Sequence, residues 1–270
     1  MSRGVLSRPA PPADVRLSYG SEDQQFGELR LPSGRGPHAT VVVVHGGFWR
    51  ARYDLTHAGH LAARLTAAGM ATWNVEYRRI GDSGGGWPDT FRDVAFAADH
   101  VRRLAAGYPL DLDRIIVLGH SAGGHLALWL AARHNLSVDS QLYTPDPLPV
   151  RGAVSLAGMP DLRQAWDLHL GSGAVEALLD GTPASRPERY QAGSPAALLP
   201  LGLPQILLHG ADDEIVPPVT SERYACRAQD LGDAVQVVRL PGAGHFELID
   251  PRAPEWAHVE TAVMRLLGVV

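Results

Sequence analysis

Cysteine is nearly missing: Cys226 stands alone in 270 residues, which excludes an intrachain disulfide and a cysteine zinc cluster. Read by itself, Cys226 is a small, partly buried hydrophobe. No window is long and apolar enough for a membrane span, and the opening MSRGVLSRPAPPADV lacks the continuous apolar core of a signal peptide. A cytoplasmic location is therefore expected. Basic excess is also missing. A net charge of −5 and a pI near 6.2 leave no electrostatic footprint for nucleic acid or an anionic membrane. Metal-ligand spacing is absent too, so no metal and no cofactor is expected. His57 and His60 lie three apart with no acid or cysteine to complete a set and read as a surface face, while Asp212, Asp213 and Glu214 lack the spacing of a calcium loop.

What is present is ordinary for a globular chain: 45% hydrophobic and 20% charged residues. The length permits one large α/β domain or two small ones. Residues 1–13, rich in Pro, Ala and Ser, read as a flexible tail. Beyond it, residues 14–270 read as a single domain of strands alternating with helices. The strands fall at Val15–Tyr19, Phe26–Leu31, Val41–Val44, Thr72–Tyr77, Ile115–Leu118, Val150–Leu156, Gln205–Leu208 and Val235–Leu240. Helices are expected near 54–68, 88–106, from 122 onward, 219–231 and 254–267. This alternation implies a mostly parallel sheet with helices on both faces. Shorter helical pieces near 161–169, 173–180 and 186–192 suggest a cap-like insertion at about 158–200.

The stretch RIIVLGHSAGGHLA, residues 114–127, carries the chemistry. A short apolar run is followed by Gly119-His120-Ser121-Ala122-Gly123 and then by a helix, the strand–turn–helix context that a G-x-S-x-G motif requires. A serine hydroxyl is a weak nucleophile and must stand clear of the backbone where a base can reach its proton. The following helix aims unpaired N–H groups at the site, and the Ala122 amide is a candidate oxyanion donor. Ligands of such sheets sit at the carboxyl ends of the strands. Two further strands end in His209-Gly210-Ala211-Asp212-Asp213-Glu214 and in Gly242-Ala243-Gly244-His245-Phe246. They supply carboxylates and an imidazole in the order Ser121, Asp213, His245.

With these residues the sequence resembles the α/β-hydrolase superfamily, esterase/lipase type. HGGFW at 45–49, GHSAGG at 119–124, HGADDEIVP at 209–217 and GAGHF at 242–246 match that superfamily's ordered motifs over nearly the whole chain. HGGFW is similar to the form in kynurenine formamidases and related small carboxylesterases. The resemblance implies a catalytic triad of Ser121, Asp213 and His245, with Asp212 and Glu214 as nearby alternatives to Asp213. It implies an oxyanion hole drawn from the amides of Gly46, Gly47, Phe48 and Ala122, with His45 holding the glycine loop. The expected activity is hydrolysis of carboxylic esters of small or aromatic compounds through an acyl-enzyme. The same triad serves an arylformamidase or another amidase, and a catalytically silent binding module on the scaffold is the rival of another class. Activity should fall on the acid side as His245 takes up a proton.

Candidate substrate contacts are Trp49, Trp87, His120 and Trp166, which with Tyr53, Tyr77 and Tyr190 could wall an apolar pocket. His120 and His125 otherwise read as structural, packed about the turn. Gly81-Asp82-Ser83-Gly84-Gly85 copies the serine motif of chymotrypsin-like proteases, but that fold is two β-barrels with its histidine and aspartate upstream. In a βαβ region it reads as a glycine loop. The partner is a small-molecule ester or amide; the oligomeric state is left open, a homodimer included.

Overall fold

The computed structural model describes residues 4–269. Among them eight strands form one sheet: β1 (Val15–Ser18), β2 (Phe26–Arg30), β3 (His38–Val44), β4 (Ala71–Val75), β5 (Leu110–His120), β6 (Ala153–Leu156), β7 (Gln205–Gly210) and β8 (Val235–Leu240). Their order in space is β1-β2-β4-β3-β5-β6-β7-β8. β1 and β2 pair antiparallel, as do β2 and β4, and every other neighbouring pair is parallel.

The unbroken apolar runs follow from burial on both faces. Along β3, Val41 and Val43 join the core beneath one face while Val42 and Val44 join the core above the other. β5 repeats the division with Ile116 and Leu118 against Ile115 and Val117. The helices are α1 (Gly4–Ser7), α2 (Gly59–Ala67), α3 (Asp89–Asp99), α4 (Val101–Leu104), α5 (Ala122–Ala132), α6 (Leu162–Asp167), α7 (Ala174–Leu179), α8 (Pro187–Gly193), α9 (Val219–Asp230) and α10 (Trp256–Leu267). α1, α2 and α10 cover one face; α3, α4, α5 and α9 cover the other.

The helix expected over 88–106 divides at His100, whose ring stacks on Trp73, into α3 and α4. The pieces α6 to α8 pack into the same core as α3 and α5 through Leu162, Val175, Leu178, Leu179 and Tyr190. They reach the loop after β3 through Arg50, which donates to the carbonyls of Gly171 and Ser172 at 3.1 and 3.2 Å.

Three expectations are corrected. Residues 4–13 are not a loose tail: Val5 is 3% exposed and Arg8 pairs with Asp250 at 2.6 Å, contacts that composition alone does not reveal. Residues 1–3 of that expected tail lie outside the described residues. Cys226 is exposed, because the buried face of α9 runs through Ser221, Tyr224, Ala225 and Ala228 and helical spacing turns position 226 away. His57 is buried rather than on a surface face, for the reason given below.

Candidate active site

β5 carries Gly119, His120 and Ser121 to the carboxyl edge of the sheet. Ser121 adopts φ 56° and ψ −120°, a left-handed backbone that costs roughly 1–3 kcal/mol for a residue with a side chain. The crowding explains the flanking glycines. A Cβ on Gly119 would lie 2.0 Å from the Gly123 carbonyl oxygen, and one on Gly123 would lie 2.1 Å from that of Val44. The Ser121 amide donates to the Leu156 carbonyl at 2.7 Å, tying the turn to β6. α5 starts at Ala122, so its first amides have no partner within the helix and its positive end meets the serine.

The loop after β3 curls against this turn. Gly47, Phe48 and Trp49 all take positive φ, at 115°, 51° and 54°. A Cβ on Gly46 would meet the His120 carbonyl oxygen at 2.7 Å and the Ser121 Cβ at 3.0 Å, so the loop backbone rests on the serine. His45 holds it there, its Nδ1 donating to the Gly46 carbonyl at 2.8 Å and its Nε2 to Glu76 Oε1 at 2.9 Å. Glu76, buried just beyond β4, also accepts from the amides of Leu55 and Tyr77 at 3.0 and 2.8 Å and pairs with Arg79 at 3.2 Å. The Tyr77 hydroxyl donates to the His45 carbonyl at 2.8 Å while its ring stacks on the imidazole. Glu76 escaped the sequence reading, although an acid inside an apolar strand run was the available signal.

Asp213 and His245, in the loops after β7 and β8, are hydrogen-bonded to each other. His245 Nδ1 donates to Asp213 Oδ2 at 2.6 Å, which leaves Nε2 as the ring nitrogen that the carboxylate does not engage. The other carboxylate oxygen accepts from the amides of Ile215 and Val216 at 2.8 and 2.9 Å. Burial pushes the Asp213 pKa up, but hydrogen bonds from His209, His245 and the Val216 amide outweigh it and hold the carboxyl well below its usual range. Asp212 and Glu214 are not the partners of His245.

Behind the imidazole lies a second pair of rings. His120 Nε2 faces the His245 carbonyl at 2.8 Å, and a carbonyl only accepts, so this nitrogen donates. His120 Nδ1 must then accept from His57 Nε2 at 2.8 Å. The His120 ring, donating from one nitrogen and accepting at the other, is thereby neutral. Burial, then the neighbouring His45 and His245, lowers the His57 pKa to about 3, and burial takes His120 well below its ordinary value. His120 thus packs under the turn and braces the His245 backbone.

Ser121 and His245 line one cavity of about 290 Å³, with Gly47, Phe48, Tyr53, His57, Ile215, Phe246 and Leu6. The sequence-chosen contacts Trp49, Trp87, His120 and Trp166 are not on its wall. Trp49 is fully buried with its ring edge-on to His125. Trp87 packs on Phe91 and lines a separate cavity of about 440 Å³ near Asn135 and Arg189. The Trp166 indole bonds Glu176 within the 158–200 segment. Of the aromatic set only Tyr53 reaches the serine's cavity. Ile215 and Phe246 lie within the quoted motifs and could have been named; Leu6 had no local signal. The second serine motif is built otherwise: Ser83 is exposed, and Asp82 turns back to accept from the Arg79 amide and guanidinium at 2.9 and 3.0 Å.

A family model described as BD-FAE matches residues 28–227. The chain belongs to the BD-FAE family. The matched span takes in Ser121 and Asp213 and ends before His245. Among relatives of this BD-FAE chain, the esterase LipQ of Mycobacterium tuberculosis is 28% identical over 268 residues, covering 97% of this chain and 63% of LipQ. The isoprenylcysteine alpha-carbonyl methylesterase ICME of Arabidopsis thaliana is 26% identical over 247 residues, covering 86% of this chain and 56% of ICME. The chain thus spans less than two thirds of the length of either relative. A truncated carbohydrate esterase from gut microbiota superposes with a TM-score of 0.82 at 20% identity, covering 95% of this chain and 99% of that one. The butyrate-bound esterase Est2 of Thermogutta terrifontis gives 0.76 at 21% identity, with 96% and 94% covered. The fold is that of the α/β-hydrolase esterases.

Proposed function

We propose that this chain hydrolyses carboxylic esters, with Ser121 as nucleophile, His245 as general base and Asp213 as its orienting acid. The observation that carries this is the 2.6 Å bond from His245 Nδ1 to Asp213, with His245 and a strained, forward-set Ser121 lining one cavity. His245 Nε2 takes the hydroxyl proton as Ser121 Oγ attacks the ester carbonyl carbon. The amides of Gly47, Phe48 and Ala122 hold the developing oxyanion, each such donor being worth ~3 kcal/mol. The proton passes to the leaving alkoxide, which departs as the alcohol and leaves an acyl-serine. Water, deprotonated by the same imidazole, then releases the carboxylic acid and restores the serine. The esterase names of LipQ and ICME support the ester bond, and the butyrate in Est2 supports a short acyl group as a first substrate.

The test is hydrolysis of 4-nitrophenyl acetate and butyrate by wild type and Ser121→Ala, with a fluorophosphonate probe alongside. Wild type should turn over both esters and take the label at Ser121. The variant should take no label and lose kcat by up to ~10⁶-fold. Retention of activity within tenfold removes Ser121 from the role. A formanilide hydrolysed ten times more efficiently than the butyrate would move the reading from esterase to formamidase.

A further inference from the structure

The N-terminal segment supplies part of the wall around Ser121. Leu6 lines the cavity that holds Ser121 and His245, opposite no charged group: among the described residues no Asp, Glu, Arg or Lys is on that wall. Phe48, Tyr53, Ile215 and Phe246 line the same cavity, so the space offers largely apolar surface around two hydroxyls, those of Ser121 and Tyr53, and two imidazoles. Leu6 is half-buried against the core in which Val5 beside it is buried with Leu61 and Leu65.

The segment is fastened along its length. Arg8 reaches Asp250 at 2.6 Å. Ala10 lies so close to Gly59 that a Cβ there would meet it at 2.5 Å. Arg30 donates to the Pro11 carbonyl at 2.8 Å. A side chain held by a core anchor on one side and an ion pair two residues on is a fixed wall. The family match begins only at residue 28, so this wall lies outside the span shared with the BD-FAE model.

The geometry points to Leu6 as a specificity-determining residue that limits the length of an uncharged, apolar substituent of the ester. This rests on the esterase reading above. An apolar group gains by leaving water for such a wall, at about 0.8 kcal/mol per buried CH₂, and a longer one is stopped when it meets Leu6. The substituent could be the acyl chain or the alcohol, and the same surface would serve either.

Two ester series separate these: 4-nitrophenyl esters from acetate to decanoate, and acetates of alcohols from ethyl to octyl. Each is measured as kcat/KM on wild type, Leu6→Ala, Leu6→Trp and Arg8→Ala. Leu6→Ala should raise the octanoate-to-butyrate ratio, or the corresponding alcohol ratio, at least fivefold; the series that shifts identifies the side held. Leu6→Trp should lower that ratio at least fivefold with acetate turnover retained, and Arg8→Ala should follow Leu6→Ala more weakly. Ratios within twofold of wild type for both Leu6 variants, in both series, overturn the assignment while leaving the hydrolase intact. Absence of any ester hydrolysis and of fluorophosphonate labelling in wild type takes both down together.

Discussion

Glu76 shows what one residue can decide. It is 2% exposed, and its two oxygens answer an imidazole, two backbone amides and a guanidinium. Removing one member of a buried ionic set strands the others. Glu76→Ala should therefore cost about 3–5 kcal/mol, read as a fall in the urea midpoint, whereas Glu76→Gln keeps one acceptor oxygen and the side chain's volume and should cost less. The loop amides beside Ser121 depend on the same clamp, so kcat should fall with little change in KM. An alanine variant as stable and as active as wild type would show that the loop is held by its glycines alone. Single residues also mark where sequence reading stopped short. Trp49 sits within a motif and looked like a pocket wall, yet its left-handed backbone turns the indole into the core.

At the scale of elements, the turn between β5 and α5 works because three backbones touch. All eleven residues of α5 are buried, so its sequence is apolar all round and its position is set by contact rather than by one hydrophobic stripe. Gly123 is the closest point, facing the Val44 and His45 carbonyl oxygens of β3 and the loop after it. Gly123→Ala forces α5 away from β3. Folded protein, judged by circular dichroism, should retain less than a hundredth of wild-type kcat, and a large share should fail to fold. Activity within threefold of wild type would mean that the elbow tolerates the shift. The inner strands β3 to β7 and the longer helices were legible because burial on both faces leaves continuous apolar runs, and burial on one face of a helix leaves a 3.6-residue period. The helix break at His100 was not, since the apolar period passes through it from Ala98 to Val101.

For the molecule as a whole, three buried histidines govern acid stability. Burial lowers His57 to about 3 and His125 to about 4, and takes His120 well below its ordinary value. In the unfolded chain each titrates near 6.5, so below that pH the unfolded state binds protons that the folded state refuses. Stability therefore rises with pH across this window. The contribution is complete above about pH 6.5 and is lost as the pH falls toward 4 for His125 and 3 for His57. Each histidine adds a slope of about 1.4 kcal/mol per pH unit. The urea midpoint should drop steeply between pH 7 and pH 5, before carboxylates such as Asp213 begin to protonate. His125→Gln should flatten the slope. A midpoint unchanged over that range would show that these rings are not neutral in the fold.

Sequence alone was enough for the alternation of strands and helices, and for the Ser121, Asp213 and His245 positions at strand ends, because strand periodicity and tight-turn chemistry are local. Tertiary structure alone decided which side chains wall the cavity, that His57 and His120 stand behind His245, and that residues 4–13 are fastened to α2, β2 and Asp250. Those outcomes depend on contacts between residues as far apart as Arg8 and Asp250, or His57 and His120. Close approach of distant segments leaves no period, spacing or composition in the chain that could announce it.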